Sequence, residues 1–220
     1  MAPELTPFDA VGHFDQPERG YRFSADSLIL AGFAGADNGV RAADFGAGCG
    51  VVGLTALERG ALKGFQEMIF LERERHFQPH LENNLRLYQP RTKVRLRALM
   101  EDWREVQPPD FGGSLDYIMV NPPYFRADQS RPSPEPTRDA ARREKYGGLD
   151  DLCLSLVRLL TRPTGRAAVM LPAFRRADLT AALTGVGLKV MRESSVSAED
   201  SGQARLILIE AGLQVEPQFS

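Results

Sequence analysis

Apolar residues along this chain follow two rhythms. Short, nearly continuous apolar runs predict buried strands at residues 41–45, 68–71, 94–99, 116–120, 167–171, 188–191 and 206–209. Between them the spacing lengthens. Phe77, Leu81 and Leu85 recur every fourth residue, and Leu152, Leu156, Leu159 and Leu160 form a second stripe, so both stretches read as helices. Further helices are expected through Leu54 and Leu57 and over 174–183. Strands alternating with helices predict an α/β fold: seven strands in a mostly parallel sheet, helices on both faces, the last two strands closing it as a pair. With 220 residues and 43% hydrophobic content, one unit spanning 1–220 is expected. In such sheets the ligand lies beyond the carboxyl ends of the strands, where Glu72, Asp102 and Asn121 fall.

The richest glycine stretch separates the first strand from its helix. Asp44-Phe45 runs into Gly46-Ala47-Gly48-Cys49-Gly50-Val51-Val52-Gly53, a cradle in which backbone N–H groups are expected to approach a ligand. Gly48 to Gly53 also fits the dinucleotide G-x-G-x-x-G pattern, with Glu72 near the distance of a ribose-binding carboxylate. The pattern alone does not separate a dinucleotide from S-adenosylmethionine. Charge favours the second. Asp44 is expected at the mouth of the loop, where a pyrophosphate meets a like charge but an ammonium or sulfonium is welcome. Asp44, Gly46, Gly48 and Gly50 are thus candidate cofactor residues. Glu72 is expected to accept from the ribose hydroxyls and Asp102 from the adenine amino group. Trp103 either covers that adenine or anchors the core.

The fourth strand delivers Asn121-Pro122-Pro123-Tyr124. This tetrapeptide suits a planar nitrogen on an sp² carbon, whose lone pair is delocalised and therefore a poor nucleophile. The Asn121 side-chain oxygen and the Pro122 backbone oxygen can each accept from one NH₂ group, localising and aiming the lone pair. Pro122 and Pro123 stiffen the turn. Tyr124 offers a face on which a base stacks, worth about 1–3 kcal/mol. Asn121 through Tyr124 are the candidate catalytic residues for methyl transfer, and Asn121 also faces the donor.

Composition narrows the partners. Charged residues make up 25% and the net charge is −2, so contact with RNA or DNA must come from local patches. Only Cys49 and Cys153 are present, which fits a reducing cytoplasm rather than a disulfide framework. Pro3, Glu4, Pro7 and Asp9 do not read as a signal peptide, and no stretch reaches membrane-spanning length. No metal centre is expected: His76 and His80 are four apart, but Pro79 intervenes and no third ligand follows. Ser194 and Ser195 lack a nucleophile elbow, and Cys49 is read as chosen for small size.

After Phe125 the composition changes. Pro132, Pro134 and Pro136 sit among Arg126, Arg131, Arg138, Arg142, Arg143 and Lys145. Because this stretch emerges from the Asn121 turn, residues 125–149 are expected to form a mobile substrate loop, with Phe125, Arg142 and Arg143 as substrate-binding candidates.

Gln16-Pro17, then Gly20 to Leu28, resembles the lead-in segment of bacterial tRNA adenine-N6 methyltransferases, which act on an adenine beside the anticodon of valine tRNA. Asp44 to Gly50, Asn121 to Phe125, and Ala141-Arg142-Arg143-Glu144 resemble that family's motifs in the same order. The resemblance spans residues 14 to 210 and makes 1–40 an N-terminal segment of one catalytic unit. It implies a Rossmann-like class I methyltransferase fold, S-adenosylmethionine as donor, tRNA as partner and N6-methyladenosine as product. It also implies that Ser24 and Asp26 lie near the donor pocket. Asn-Pro-Pro-Tyr is shared with DNA amino-methyltransferases and with glutamine-N5 methyltransferases of release factors, which remain alternatives, as does a non-catalytic scaffold. The glutamine enzymes carry a helical domain ahead of the first strand, for which little room precedes Ala42; the DNA enzymes need a target-recognition domain.

Overall fold

All seven predicted strands join a single sheet in the structure, a computed structural model that describes residues 14–17, 25–122, 148–197 and 203–213. In chain order the strands are β1 Ala36–Asp37, β2 Arg41–Phe45, β3 Leu62–Lys63, β4 Glu67–Leu71, β5 Arg95–Leu99, β6 Tyr117–Val120, β7 Arg166–Pro172, β8 Leu188–Ser197 and β9 Ala204–Leu213. The helices are α1 Ala25–Phe33, α2 Val51–Glu58, α3 Gln78–Tyr88, α4 Leu149–Leu159 and α5 Arg176–Gly185. The large sheet has the order β5-β4-β2-β6-β7-β9-β8, parallel throughout except for β9, which is antiparallel to both its neighbours.

Strand alternation divides the core between the two faces. Ala42, Met68, Phe70, Tyr117, Met119 and Met170 pack with Leu30, Leu54, Leu81 and Leu85, so α1, α2 and α3 cover one face. Ala43, Phe45, Ile69, Leu71, Ile118 and Val120 pack with Leu152, Leu156, Leu179 and Leu183, so α4 and α5 cover the other. Leu54, Leu81 and Leu156 are each fully buried, and burying such a side chain stabilises the fold by about 1.5–3 kcal/mol.

Several elements differ from expectation. Helix α1 is absent from the periodic reading because Leu28, Ile29 and Leu30 run consecutively, blurring any single apolar face. The small parallel pair β1–β3 is too short to show a period. Strands β8 and β9 each run ten residues, well beyond the apolar runs that announced them. Most of β8 is solvent-facing and polar, so ladder pairing with β9 and not burial carries its extension. The stretch over 174–183 begins with a 3₁₀ turn, Ala173–Arg175, before α5.

The sheet order positions the site. From β2 the chain moves outward through β4 to β5, then returns to the other flank for β6 and β7. That reversal opens a crevice at the carboxyl ends of β2 and β6.

Candidate active site

Phe45 pairs with Val120 across the parallel β2–β6 ladder, so the next residues, Gly46 and Asn121, leave the sheet side by side. Neighbouring strands lie about 4.8 Å apart, which brings the two turns into one cleft. The cleft is lined by Ser27, Gly46, Ala47, Gly48, Cys49, Val51, Val52, Phe77 and Asn121.

The glycine loop makes a left-handed path, with Gly46 at φ 70°, Gly48 at 55° and Gly50 at 85°, angles that side chains rarely tolerate. Gly53 has a different reason. A Cβ there would stand 2.5 Å from both Met68 and Phe70 side-chain atoms, so glycine lets α2 approach the sheet.

Expectation and structure part over the loop's N–H groups. Gly46 and Ala47 both donate to the Leu71 carbonyl, at 2.8 and 3.0 Å, and Gly50 donates to the Ala47 carbonyl at 2.8 Å. Gly48 donates to Glu72 Oε2 at 2.8 Å, and Gly53 to Asp44 Oδ2 at 2.9 Å. Five of the eight N–H groups between Gly46 and Gly53 are thus taken within the protein, which reduces what the loop can offer a phosphate.

Asp44 lies beneath the loop, not at its mouth: it is 1% exposed and braces the start of α2 through Gly53. Burial pushes its carboxyl up to about 7, against the lowering effect of the Gly53 hydrogen bond. Glu72 is also buried and accepts from three backbone N–H groups, those of Gly48, Arg73 and Glu74. Desolvation raises its pKa, and the three hydrogen bonds hold that rise back. Asp102 is the opposite case. Burial would raise it, but Arg104, reaching both its oxygens, and Arg73 at 3.0 Å keep it below the ordinary carboxylate range. Trp103 is 8% exposed and packs among the α4 and α5 side chains, which makes it a core anchor.

Asn121 Nδ2 donates to Ser27 Oγ over 3.4 Å, a long contact that leaves Oδ1 as the atom available to an amine. Pro122 is buried beside it. Pro123, Tyr124, Phe125, Arg142, Arg143 and Ser24 lie outside the described residues, as does most of the 125–149 stretch. Asp26 is held by Arg205 at 2.8 Å.

Several lining residues escaped the sequence reading. Ser27, on α1, sits one position after Asp26 and belonged to the resembling segment, which was the available signal. Phe77 read as a core residue and is one, but from the 3₁₀ turn before α3 it also lines the cleft. Asn84 went unnoticed. Fully buried, it donates to the carbonyls of Cys49 and Asp15 and accepts from the Asp15 N–H, each at 2.9 Å, tying the N-terminal segment to the glycine loop. One residue on, Gln16 carries a buried side-chain oxygen with no hydrogen-bond partner among the described residues. The Cys49 thiol is pushed up to about 12 by burial and is no nucleophile. Among the described residues no group of three His, Cys, Asp or Glu could hold a metal ion, and His80 instead pairs with Asp15 at 2.6 Å.

A parallel sheet with a terminal antiparallel hairpin, and a glycine loop abutting an Asn-Pro turn at its reversal point, is the class I methyltransferase fold. Residues 27–133, from within α1 to beyond the Asn-Pro-Pro-Tyr tetrapeptide, match the family model described as conserved hypothetical protein 95. The chain is 28% identical over 207 residues to the tRNA1(Val) (adenine(37)-N6)-methyltransferase of Shewanella sp. (strain MR-4), covering 93% of this chain and 84% of that one. The resemblance read from the motifs is therefore found along nearly the whole chain. Among solved structures it is similar to a predicted O-methyltransferase from Agrobacterium tumefaciens, with TM-score 0.62, 18% identity and coverage of 84% and 79% of the two chains. It is also similar to the glycopeptide N-methyltransferase MtfA complexed with S-adenosylmethionine, with TM-score 0.59, 12% identity and coverage of 86% and 93%.

Proposed function

We propose that this protein transfers a methyl group from S-adenosylmethionine to the exocyclic N6 of an adenine in tRNA. The observation that carries the reading is the shared cleft: the glycine loop after β2 and Asn121 after β6 line one space. The residues present fit the donor. Val51, Val52 and Phe77 supply an apolar wall, and Glu72 stands at the end of β4. When bound, S-adenosylmethionine supplies an electrophilic methyl carbon on a sulfonium centre.

The chain's own residues then have separable tasks. Asn121 Oδ1 accepts one hydrogen of the target amine, and the Pro122 carbonyl the other, which draws the lone pair out of conjugation and aims it. Ser27 orients the Asn121 amide by accepting from Nδ2. Tyr124 stacks on a base flipped out of its strand, a step that costs least in an already single-stranded loop. No strong general base is required, because the methylated ammonium is acidic enough to lose its proton to water. Positioning supplies much of the rate. Glu72 holds the loop through Gly48, and Asp44 holds α2 through Gly53, both acting on the donor side.

The experiment that tests this is incubation with labelled donor and separate pools of unmodified tRNA, DNA and release factor, followed by nucleoside and peptide analysis. Label appearing as N6-methyladenosine in tRNA is expected. Label confined to DNA or to a glutamine side chain would replace the reading with one of its alternatives, and no transfer with donor bound would point to a scaffold. Among the described residues no helix is long and apolar enough to cross a membrane.

A further inference from the structure

The rim beside the cleft carries a feature that methyl transfer does not use. Val120 pairs with Val169, so β7 continues for three residues past that level and ends in the 3₁₀ turn Ala173–Arg175, on the carboxyl edge that bears Asn121. At the tip of this turn Phe174 is 68% exposed, more than any other large apolar residue among those described. A lone exposed apolar residue is unremarkable by itself. Its setting is what matters.

Arginines neighbour Phe174 along the chain and across the sheet. Arg175 and Arg176 follow it in sequence, and Arg205 precedes Leu206, the residue that pairs with Pro172, so β9 brings Arg205 against the same turn. Arg205 also reaches Asp26, next to Ser27, the residue in contact with Asn121. The rim is thereby continuous with the acceptor side of the cleft. Arg175 pairs with Asp178 at 2.6 Å, Arg176 with Glu193 at 2.7 Å, and Arg205 with Asp26 at 2.8 Å. These pairs are solvated, with the arginine side chains between 30% and 61% exposed, so a phosphate can compete for the guanidinium groups.

We propose that Phe174 is a stacking platform for a nucleotide adjacent to the methylated base, with Arg175 and Arg205 meeting the backbone phosphates of that single-stranded segment. This rests on the tRNA reading above and adds a subsite to it. An exposed ring suits a nucleobase because every base presents a π-face, while planar guanidinium groups suit phosphate oxygens. The subsite would grip substrate without touching the reacting nitrogen.

The test uses the full-length protein with Phe174 changed to Ala, Leu and Trp, an unmodified tRNA transcript as substrate, and donor affinity measured separately by calorimetry. Phe174→Ala and Phe174→Leu should each raise KM for the transcript about tenfold, with donor affinity and kcat little changed, and Phe174→Trp should restore the wild-type KM. The ring is exposed, so the fold does not depend on it, and unchanged thermal unfolding checks this. The double change Arg175→Ala and Arg205→Ala should flatten the salt dependence of transcript binding. Wild-type KM in Phe174→Ala, or Leu serving as well as Trp, would overturn the platform while leaving the tRNA reading intact. If the wild-type protein labels no tRNA, that reading falls first. If instead a release factor is labelled and Phe174→Ala weakens that reaction, the ring serves a protein partner and the proposal is wrong.

Discussion

The two walls of the cleft are built to different standards. On the donor wall five N–H groups of the glycine loop are held within the protein, by the Leu71 and Ala47 carbonyls and the Glu72 and Asp44 side chains, and Asn84 holds the Cys49 carbonyl. On the acceptor wall Asn121 is held by one long contact to Ser27. The donor wall is thus pre-organised before any ligand arrives, whereas the acceptor wall leaves its key oxygen without a partner among the described residues. Such an arrangement lets the donor bind a rigid surface and keeps the geometry of transfer dependent on the substrate.

The sharpest way to separate the walls is Asn121→Ala. It should lower kcat by two to three orders of magnitude or more, on the order expected for removing one pre-organised polar contact to the reacting group. Donor affinity, read by calorimetry, should stay within about twofold. A parallel collapse of donor binding would show that the walls are not independent.

The donor wall should next reveal itself through pH. The Asp44 carboxyl is raised from 3.8 to about 7 by burial, so its favourable contribution is complete below pH 3.8 and is lost as pH climbs toward 7. Asp44→Asn keeps an oxygen for the Gly53 N–H and cannot ionise. Relative to wild type it should gain about 2–4 kcal/mol of stability between pH 4 and pH 8, measured by denaturant unfolding across that range. A pH-independent difference between the two proteins would mean that Asp44 is not buried as a neutral acid. A smaller effect, of opposite sign, is expected from Glu72→Ala, which orphans the N–H groups of Gly48, Arg73 and Glu74. It should cost about 1–3 kcal/mol and weaken the donor, while Glu72→Gln, retaining one acceptor oxygen, should recover part of both. The slightest effect belongs to Arg73→Ala. Asp102 keeps Arg104 on both oxygens, so less than about 1 kcal/mol should be lost in the same assay.

Glu72 and Asp102 also show how far residue pattern reaches. Both were expected past strand ends; Glu72 directly follows β4, and Asp102 lies three residues beyond β5. Nothing in the linear order announced that one would be wrapped by backbone N–H groups with its pKa raised, and the other clamped by two arginines with its pKa lowered. Asp44 was legible as a strand residue leading into the glycine loop but not as a buried brace beneath it. The distinction between the mouth and the underside of a loop depends on where α2 docks, and that is set by Gly53 fitting against Met68 and Phe70.

What the linear pattern determined by itself is the architecture and the chemistry on offer. Apolar runs of strand length, four-residue stripes between them and two turns rich in Gly or Pro dictate a parallel α/β sheet with ligand groups at its carboxyl edge, because burial and turn stereochemistry act locally. What only the tertiary structure decided is which groups meet and in what charge state. Ser27 reaching Asn121, Asn84 joining residue 15 to the glycine loop, and Glu72 occupying the loop's donors are contacts between positions 24 to 94 residues apart. Hydrogen-bond saturation and burial belong to three-dimensional packing, and residue spacing along a chain cannot encode them.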